Sequence, residues 1–196
     1  MIPEGSTALG PTEAQPFKAV DVAAILHTHG WLDAKSVSGQ RPSPDGPERL
    51  AQDLGAWLED AAALLSPHAA DGNALADLLS LVFEYDARAI LRRPESHAVL
   101  ASKGCRDVIR ELAHLVLESP AVDSDRFKEI VTALRTGLRF RGRELFHPLR
   151  LALAGRAGEG ELDRVILLLD RGAGLAFRVP VKGTRQRMLE FCASLE

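Results

Sequence analysis

GRELFHPLRLALAGRAGEGELDRVILLLDRGAGL, residues 142–175, predicts two short helices joined by a glycine-rich loop. Pro148 suits the first turn of a helix, where its missing N–H costs nothing, and the nearly continuous apolar run at 149–153 predicts burial on most sides. Gly155 then ends this helix in a left-handed conformation. The second helix begins near Glu161, and its apolar face has the helical i, i+3, i+4, i+7 spacing at Leu162, Val165, Ile166 and Leu169.

The rest of the chain has the same helical period, and no run alternates in the way that a strand would. A capping cluster at 71–73 precedes the most strongly amphipathic helix, whose inward residues are Leu75, Leu78, Leu79, Val82 and Phe83. Other helices are predicted at about 17–29, 47–65, 87–91, 96–103, 104–117, 124–137 and 184–195. We therefore expect an all-α fold of about eight helices in two packed bundles. The subdomains are expected at 17–119 and 120–196, after a leader at 1–16 that we expect to be disordered.

The overall composition is that of a globular protein. Of the 196 residues, 46% are hydrophobic and 26% are charged, which are ordinary fractions. No apolar run is long enough to predict a membrane span, and the N-terminus lacks the basic start and apolar run of a secretory signal. The two cysteines, Cys105 and Cys192, do not suggest a disulfide framework. We therefore expect a cytoplasmic protein in a reducing setting.

The sequence contains no clear catalytic or metal-binding pattern. His27 and His29 are two residues apart, so they point to different sides of a helix, and the other histidines are dispersed. No glycine-rich phosphate-binding loop is present, and no serine, histidine and aspartate arrangement can be read from the sequence. We predict no catalytic residues, no metal site and no cofactor, and we do not expect the chain to be an enzyme.

The charges are distributed unevenly along the chain. Residues 126–187 contain 14 Arg and Lys against 6 Asp and Glu, a net charge of +8, so the remainder carries −11 of the total of −3. Six arginines fall close together, at Arg135, Arg139, Arg141, Arg143, Arg150 and Arg156. Guanidinium groups offer paired donors to phosphate and can stack on unpaired bases. The pattern therefore favours a polyanionic partner, although a solvated arginine-rich surface would give the same composition.

The stretch quoted first resembles a known family. LFHPLRLALAGR and the ELDRVILLLDRGAGL that follows its loop are similar to the end of the anticodon-binding region of bacterial glutamyl-tRNA synthetase. Segments 75–100 and 104–117 look like helices that precede this region, so the resemblance spans roughly 73–178. It implies the helical fold of that region without the family's catalytic domain. The shared letters are Pro148, Leu149, Arg150, Ala152, Leu153, Gly155, Leu162, Val165, Ile166, Leu169 and Leu175.

The resemblance implies binding of tRNA or another structured RNA through an arginine-rich helix-loop-helix. In the family, the loop after the small helix touches anticodon bases, and the positions that align with it are Arg156, Glu159, Gly160 and Leu162. Gly160 stands where the family usually has proline, and Asp170 stands where glycine is common. Together with the arginines that precede the small helix, the predicted RNA-binding residues are Arg139, Arg141, Arg143, Arg156, Glu159, Gly160 and Leu162.

Arg150 lies inside an apolar helix and has a different expected role. Its position favours pairing with a buried acid or capping of carbonyl groups over contact with RNA. Two alternatives to a freestanding RNA-binding module remain open. The chain could be a protein-interaction module that kept the fold and lost RNA binding, or the C-terminal part of a split glutamate–tRNA ligase whose catalytic protein is separate.

Overall fold

The computed structural model describes residues 16–33 and 47–195. These ranges contain helices and no strand, which confirms the all-α fold, and their ten α-helices compare with about eight predicted. Most of the predicted leader and the loop predicted at 36–47 lie outside the described residues. The helices are α1 (Ala19–Thr28), α2 (Pro47–Leu65), α3 (Gly72–Phe83), α4 (Ala87–Leu91), α5 (Pro94–Leu100), α6 (Cys105–Leu117), α7 (Ser124–Leu138), α8 (Arg143–Ala154), α9 (Glu161–Ala173) and α10 (Thr184–Leu195).

Helix α9 packs against α2, α3 and α8, and one hydrophobic core runs through the described helices. The crossing of α2 and α9 is close because Gly172 faces Trp57, where a Cβ would lie 3.1 Å from the indole Nε1. The indole N–H of Trp57 donates to the carbonyl of Leu168 across the same crossing, at 3.1 Å. Since α9 contacts helices on both sides of residue 119, the predicted division into 17–119 and 120–196 stays a prediction.

A fully buried arginine joins the ends of three helices. Arg187 in α10 donates to the carbonyls of Leu81 and Val82 at the end of α3, at 2.9 and 2.6 Å, and to Leu153 at the end of α8, at 2.8 Å. A fourth bond reaches the carbonyl of Lys182 at 2.8 Å. The last carbonyls of a helix have no partner within it and carry partial negative charge, so one cation satisfies two helix ends. Burial lowers the pKa of Arg187 to about 10, which leaves it charged at neutral pH.

Tyr85 completes this buried cluster. Its ring lies 4.5 Å below the guanidinium of Arg187, and its hydroxyl donates to the carbonyl of Ala152 at 2.6 Å. Burial raises the pKa of Tyr85 well above its usual range, so the hydroxyl stays neutral and can donate. The segment between α3 and α4 is thereby fixed to α8, the first of the two helices in residues 142–175.

Asp170 in α9 organises the start of α10. Its carboxylate accepts from the backbone N–H and the hydroxyl of Thr184, at 2.6 and 2.7 Å. It also accepts from the backbone N–H of Val122, at 2.6 Å, just before α7. A carboxylate at a helix N-terminus satisfies an unpaired donor and opposes the positive end of the helix dipole. The aspartate therefore connects three segments at a position where the resemblance led us to expect glycine.

Several predicted helix boundaries were wrong, and the helix predicted at 96–103 is found at Pro94–Leu100. Pro148 is not in the first turn of α8, because the helix begins at Arg143 with Gly142 as its N-cap. The proline lies within the helix and has no N–H to donate to the carbonyl of Glu144. The residues before it form the first turn of the helix. Gly137 does not end α7, which continues to Leu138 before the chain turns at Arg139.

Candidate nucleic-acid interface

The chain turns sharply between α7 and α8. Arg139 ends α7 in a left-handed conformation with φ of 59°, which is uncommon for a residue other than glycine. The next residue, Phe140, lies directly against Gly104, where a Cβ would come within 2.1 Å of the ring. We attribute the position of the turn to this contact. It leaves Arg139 and Arg141 exposed on either side of the anchored ring.

The first turn of α8 lies near the loop that precedes α9. Gly142 adopts φ of 53° and caps α8, and Arg143 follows with 81% of its side chain exposed. The Nη2 atom of Arg143 is 3.8 Å from the Oε1 atom of Glu159 in the loop. An exposed pair at this distance contributes little to stability. It does establish that the two predicted segments face each other in the fold.

Arg150 fixes the loop from inside, which confirms its expected structural role. Its Nε and Nη2 atoms donate to the two carboxylate oxygens of Asp163 at 2.7 and 2.8 Å, and Nη1 donates to the carbonyl of Gly158 at 2.6 Å. The arginine side chain is 8% exposed and that of Asp163 is 22% exposed. A paired fork of this kind sets both distance and orientation, so it holds the loop against α9.

The predicted RNA-binding residues fall into three groups. Arg139, Arg141 and Arg156 are exposed, and their side chains pair with no other residue in the described ranges. Arg143 and Glu159 are exposed but face each other, and Gly160 is exposed at the N-cap of α9. Leu162 is different, since it lies in the core with 1% exposure.

Leu162 supports the loop from below and has no surface to offer to a ligand. A Cβ placed on Gly158 would lie 2.9 Å from the Cδ1 atom of Leu162, so the leucine fills the space under the loop. At the other end of the loop, Gly155 has φ of 79°, and a Cβ there would lie 2.8 Å from Ile90. The loop is thus packed at both ends, while Arg156, Glu159 and Gly160 remain on its surface.

A depression of about 390 Å³ opens beside the turn between α7 and α8. Phe146 contributes to its wall and is itself covered on one side by the guanidinium of Arg150, 4.7 Å from the ring centroid. Neither Arg135 nor Phe146 was predicted as a site residue from the sequence. Their proximity depends on the turn at Arg139, which nothing in the local sequence indicates. The residues that line the depression are Arg135, Arg141, Gly142, Leu145 and Phe146.

Comparison with known proteins assigns the family. Residues 36–175 match the model of the family described as "Anticodon binding domain". The chain belongs to the anticodon-binding domain family. It is also 32% identical, over 122 residues, to "Glutamate--tRNA ligase 2" of Syntrophus aciditrophicus (strain SB), a match that covers 58% of this chain and 23% of that ligase. The chain therefore spans about a quarter of the length of this relative, and no solved structure matches it.

The anticodon-binding domain has a predominantly positive surface on the segment 135–159. Five of its six arginines are exposed there, against two exposed glutamates, Glu144 and Glu159. Within the described ranges, no cluster of histidine, cysteine, aspartate and glutamate could hold a metal ion. In those same ranges, no helix has the length and apolar character needed to cross a membrane. The candidate site is thus a surface of guanidinium groups around a turn and a loop.

Proposed function

We propose that this chain binds tRNA and contacts the anticodon loop through the arginine surface, defined as Arg135, Arg139, Arg141, Arg143 and Arg156. The observation that supports this most directly is that Arg135, Arg139, Arg141 and Arg156 pair with no described residue. Their charge is therefore not neutralised by internal ion pairs. Arginine binds phosphate well because its planar fork offers parallel donors to the oxygens.

The turn before α8 and the loop before α9 have different proposed roles. Arg139, Arg141 and Arg143 lie at the turn and the start of α8, where they would contact phosphates. Arg156, Glu159 and Gly160 lie on the packed loop, and we propose that they contact anticodon bases. Directed contacts to base edges need a fixed backbone, which the fork of Arg150 supplies. Leu162 keeps a supporting role under the loop.

The chain itself is proposed to be non-catalytic. This proposal is supported by the family match, which concerns an anticodon binding domain. Any glutamate–tRNA ligase chemistry would then come from a separate catalytic protein that shares the tRNA. A tRNA partner also implies a cytoplasmic location. Addition of the chain to a charging assay with such a protein tests this part of the proposal.

A binding titration tests the main proposal. A fluorescent transcript of glutamate tRNA is titrated with the chain from low to physiological salt, and anisotropy is followed. The three phosphate contacts proposed for Arg139, Arg141 and Arg143 predict a slope between about −2 and −3 in a plot of log affinity against log salt. Arg139→Ala should reduce the magnitude of this slope by about one. Arg88→Ala is the matched control, because Arg88 is an exposed arginine on α4 that does not belong to the arginine surface.

Base recognition needs a second comparison. Arg156→Ala should weaken binding of the glutamate anticodon and reduce discrimination against a transcript with a changed anticodon. Binding that ignores salt, or equal binding by wild type, Arg139→Ala and Arg156→Ala, contradicts the proposal. Failure to bind tRNA, together with specific capture of a protein, would favour the interaction-module alternative.

A further inference from the structure

We propose that the depression beside the turn between α7 and α8 is a subsite for one unpaired nucleotide. The base would lie against Phe146 and the phosphate between Arg135 and Arg141. This inference rests on the proposed function for its ligand class, RNA. It goes beyond that function because neither Arg135 nor Phe146 belongs to the predicted base-reading loop.

The aromatic surface is held in a fixed orientation. The guanidinium of Arg150 lies 4.7 Å from the centroid of Phe146, and Arg150 is itself held by three hydrogen bonds to Asp163 and Gly158. Arg150 is buried and does not line the depression, whereas Phe146 is partly exposed and lines it. A base that stacks there loses little free energy to ordering of the ring.

The charges around this surface suit a nucleotide better than an apolar ligand. Arg135 comes from the last turn of α7 and Arg141 from beyond the turn, and both are exposed without a side-chain partner in the described ranges. Phe146 supplies the apolar wall, while the arginines supply donors for phosphate oxygens. An aromatic face flanked by cations is the arrangement that binds single-stranded nucleic acid.

Size and access favour an unpaired nucleotide over a double helix. The depression, at about 390 Å³, is in the range of small-ligand sites and is far smaller than a groove for a duplex. Bases in a duplex are stacked inside and cannot reach an aromatic side chain, whereas bases in a loop can be splayed out. The subsite is therefore specific for single-stranded segments and tolerant of base identity, because every base has a flat face.

The test measures two labelled RNAs, an anticodon stem–loop and an unstructured oligouridylate, by anisotropy. Phe146→Leu removes the aromatic face, and we expect it to weaken oligouridylate binding about tenfold. Phe146→Trp should retain at least wild-type affinity. Phe177→Leu is the matched control, because that ring packs against Trp57 and Phe83 and does not line the depression. Arg135→Gln should weaken binding, and Arg164→Gln, on the exposed side of α9, should not.

An abasic series tests the same contact from the RNA side. Each loop nucleotide of the stem–loop is replaced in turn by an abasic residue. We expect one position at which wild type loses about tenfold in affinity and Phe146→Leu loses nothing further. If Phe146→Leu does not fold, Phe146→Trp decides the question, because its loss at that one abasic position should be at least as large as that of wild type, while its losses at the other positions stay unchanged.

The outcomes separate this inference from the proposed function. If Phe146→Leu loses affinity at the same abasic positions and by the same factors as wild type, the subsite is overturned and the proposed function stands. Phenylalanine-dependent binding of oligouridylate without binding of the stem–loop supports the subsite and overturns anticodon recognition. Equal effects of Phe146→Leu and Phe177→Leu overturn the subsite, and failure to bind either RNA overturns both.

Discussion

Replacement of Arg187 by methionine should destabilise the protein more than any other single change on α10. Methionine fills much of the same volume but cannot donate to the carbonyls of Leu81, Val82, Leu153 and Lys182. A buried carbonyl left without a partner costs about 1–3 kcal/mol. Part of that cost is offset because the variant no longer buries a charge. We expect a net loss of about 4 kcal/mol in the free energy of unfolding.

Urea unfolding followed by far-ultraviolet circular dichroism measures this loss. Arg187→Lys keeps the charge but has one donor centre, so it should recover about half of the lost stability. Arg164→Met is the control, because Arg164 is exposed on α9 and pairs with no described residue. A free energy of unfolding for Arg187→Met within about 1 kcal/mol of that of wild type would refute the reasoning. Full stability in Arg187→Lys would refute the part that depends on several carbonyls being bound at once.

Three other perturbations test the structure. Arg150→Ala should lower the free energy of unfolding in urea by about 3 kcal/mol, because it leaves the partly buried Asp163 without its partner. The double variant Arg150→Met, Asp163→Leu should recover part of this loss. Burial raises the pKa of Cys105 to about 11, so little thiolate is present at pH 8. In a Cys192→Ser background, Ellman's reagent at pH 8 should therefore react with Cys105 only after unfolding, and rapid reaction of the native protein would contradict this. The backbone N–H of Ala89 holds the pKa of Asp86 below its ordinary value in the folded state. The contribution of Asp86 to stability is therefore present above the unfolded pKa and is lost as pH falls through the folded pKa. Asp86→Asn should flatten the dependence of the free energy of unfolding on pH between about pH 5 and 3, and an unchanged curve would contradict this.

Local signals predicted most of the helices. Pro47 opens α2 and Asp71 caps α3 by accepting from the N–H of Ala74, as expected from their sequence positions. The same kind of signal was misleading at Pro148, because the preceding five residues form a helical turn from Gly142. A proline is compatible with a first turn but does not require one, so the weaker signal at Gly142 decided the boundary.

The buried cluster around Arg187 could not be predicted from the sequence. The arginine lies in a polar stretch, and its carbonyl partners are up to 106 residues away. Arginine is almost never fully buried unless it is paired, so its sequence environment favoured a surface position. Only the assembled ends of α3 and α8 create the site that it occupies.

The candidate site was predictable in part. The exposed positions of Arg139, Arg141 and Arg156 agree with an arginine-rich surface, and Arg150 has the internal role that its apolar surroundings indicated. The depression at Phe146 was missed because it depends on a left-handed turn at Arg139. Sequence rules place such turns at glycine, and Gly137 was the available candidate.

The contact between Gly104 and Phe140 links two distant parts of the gene. A Cβ at residue 104 would lie 2.1 Å from the ring of Phe140, so a larger residue there requires the ring to move. Because the ring anchors the turn that carries Arg139 and Arg141, a change of residue at the start of α6 would move the arginines relative to α8. The residue at the start of α6 therefore also determines where the proposed RNA-binding arginines of this turn lie.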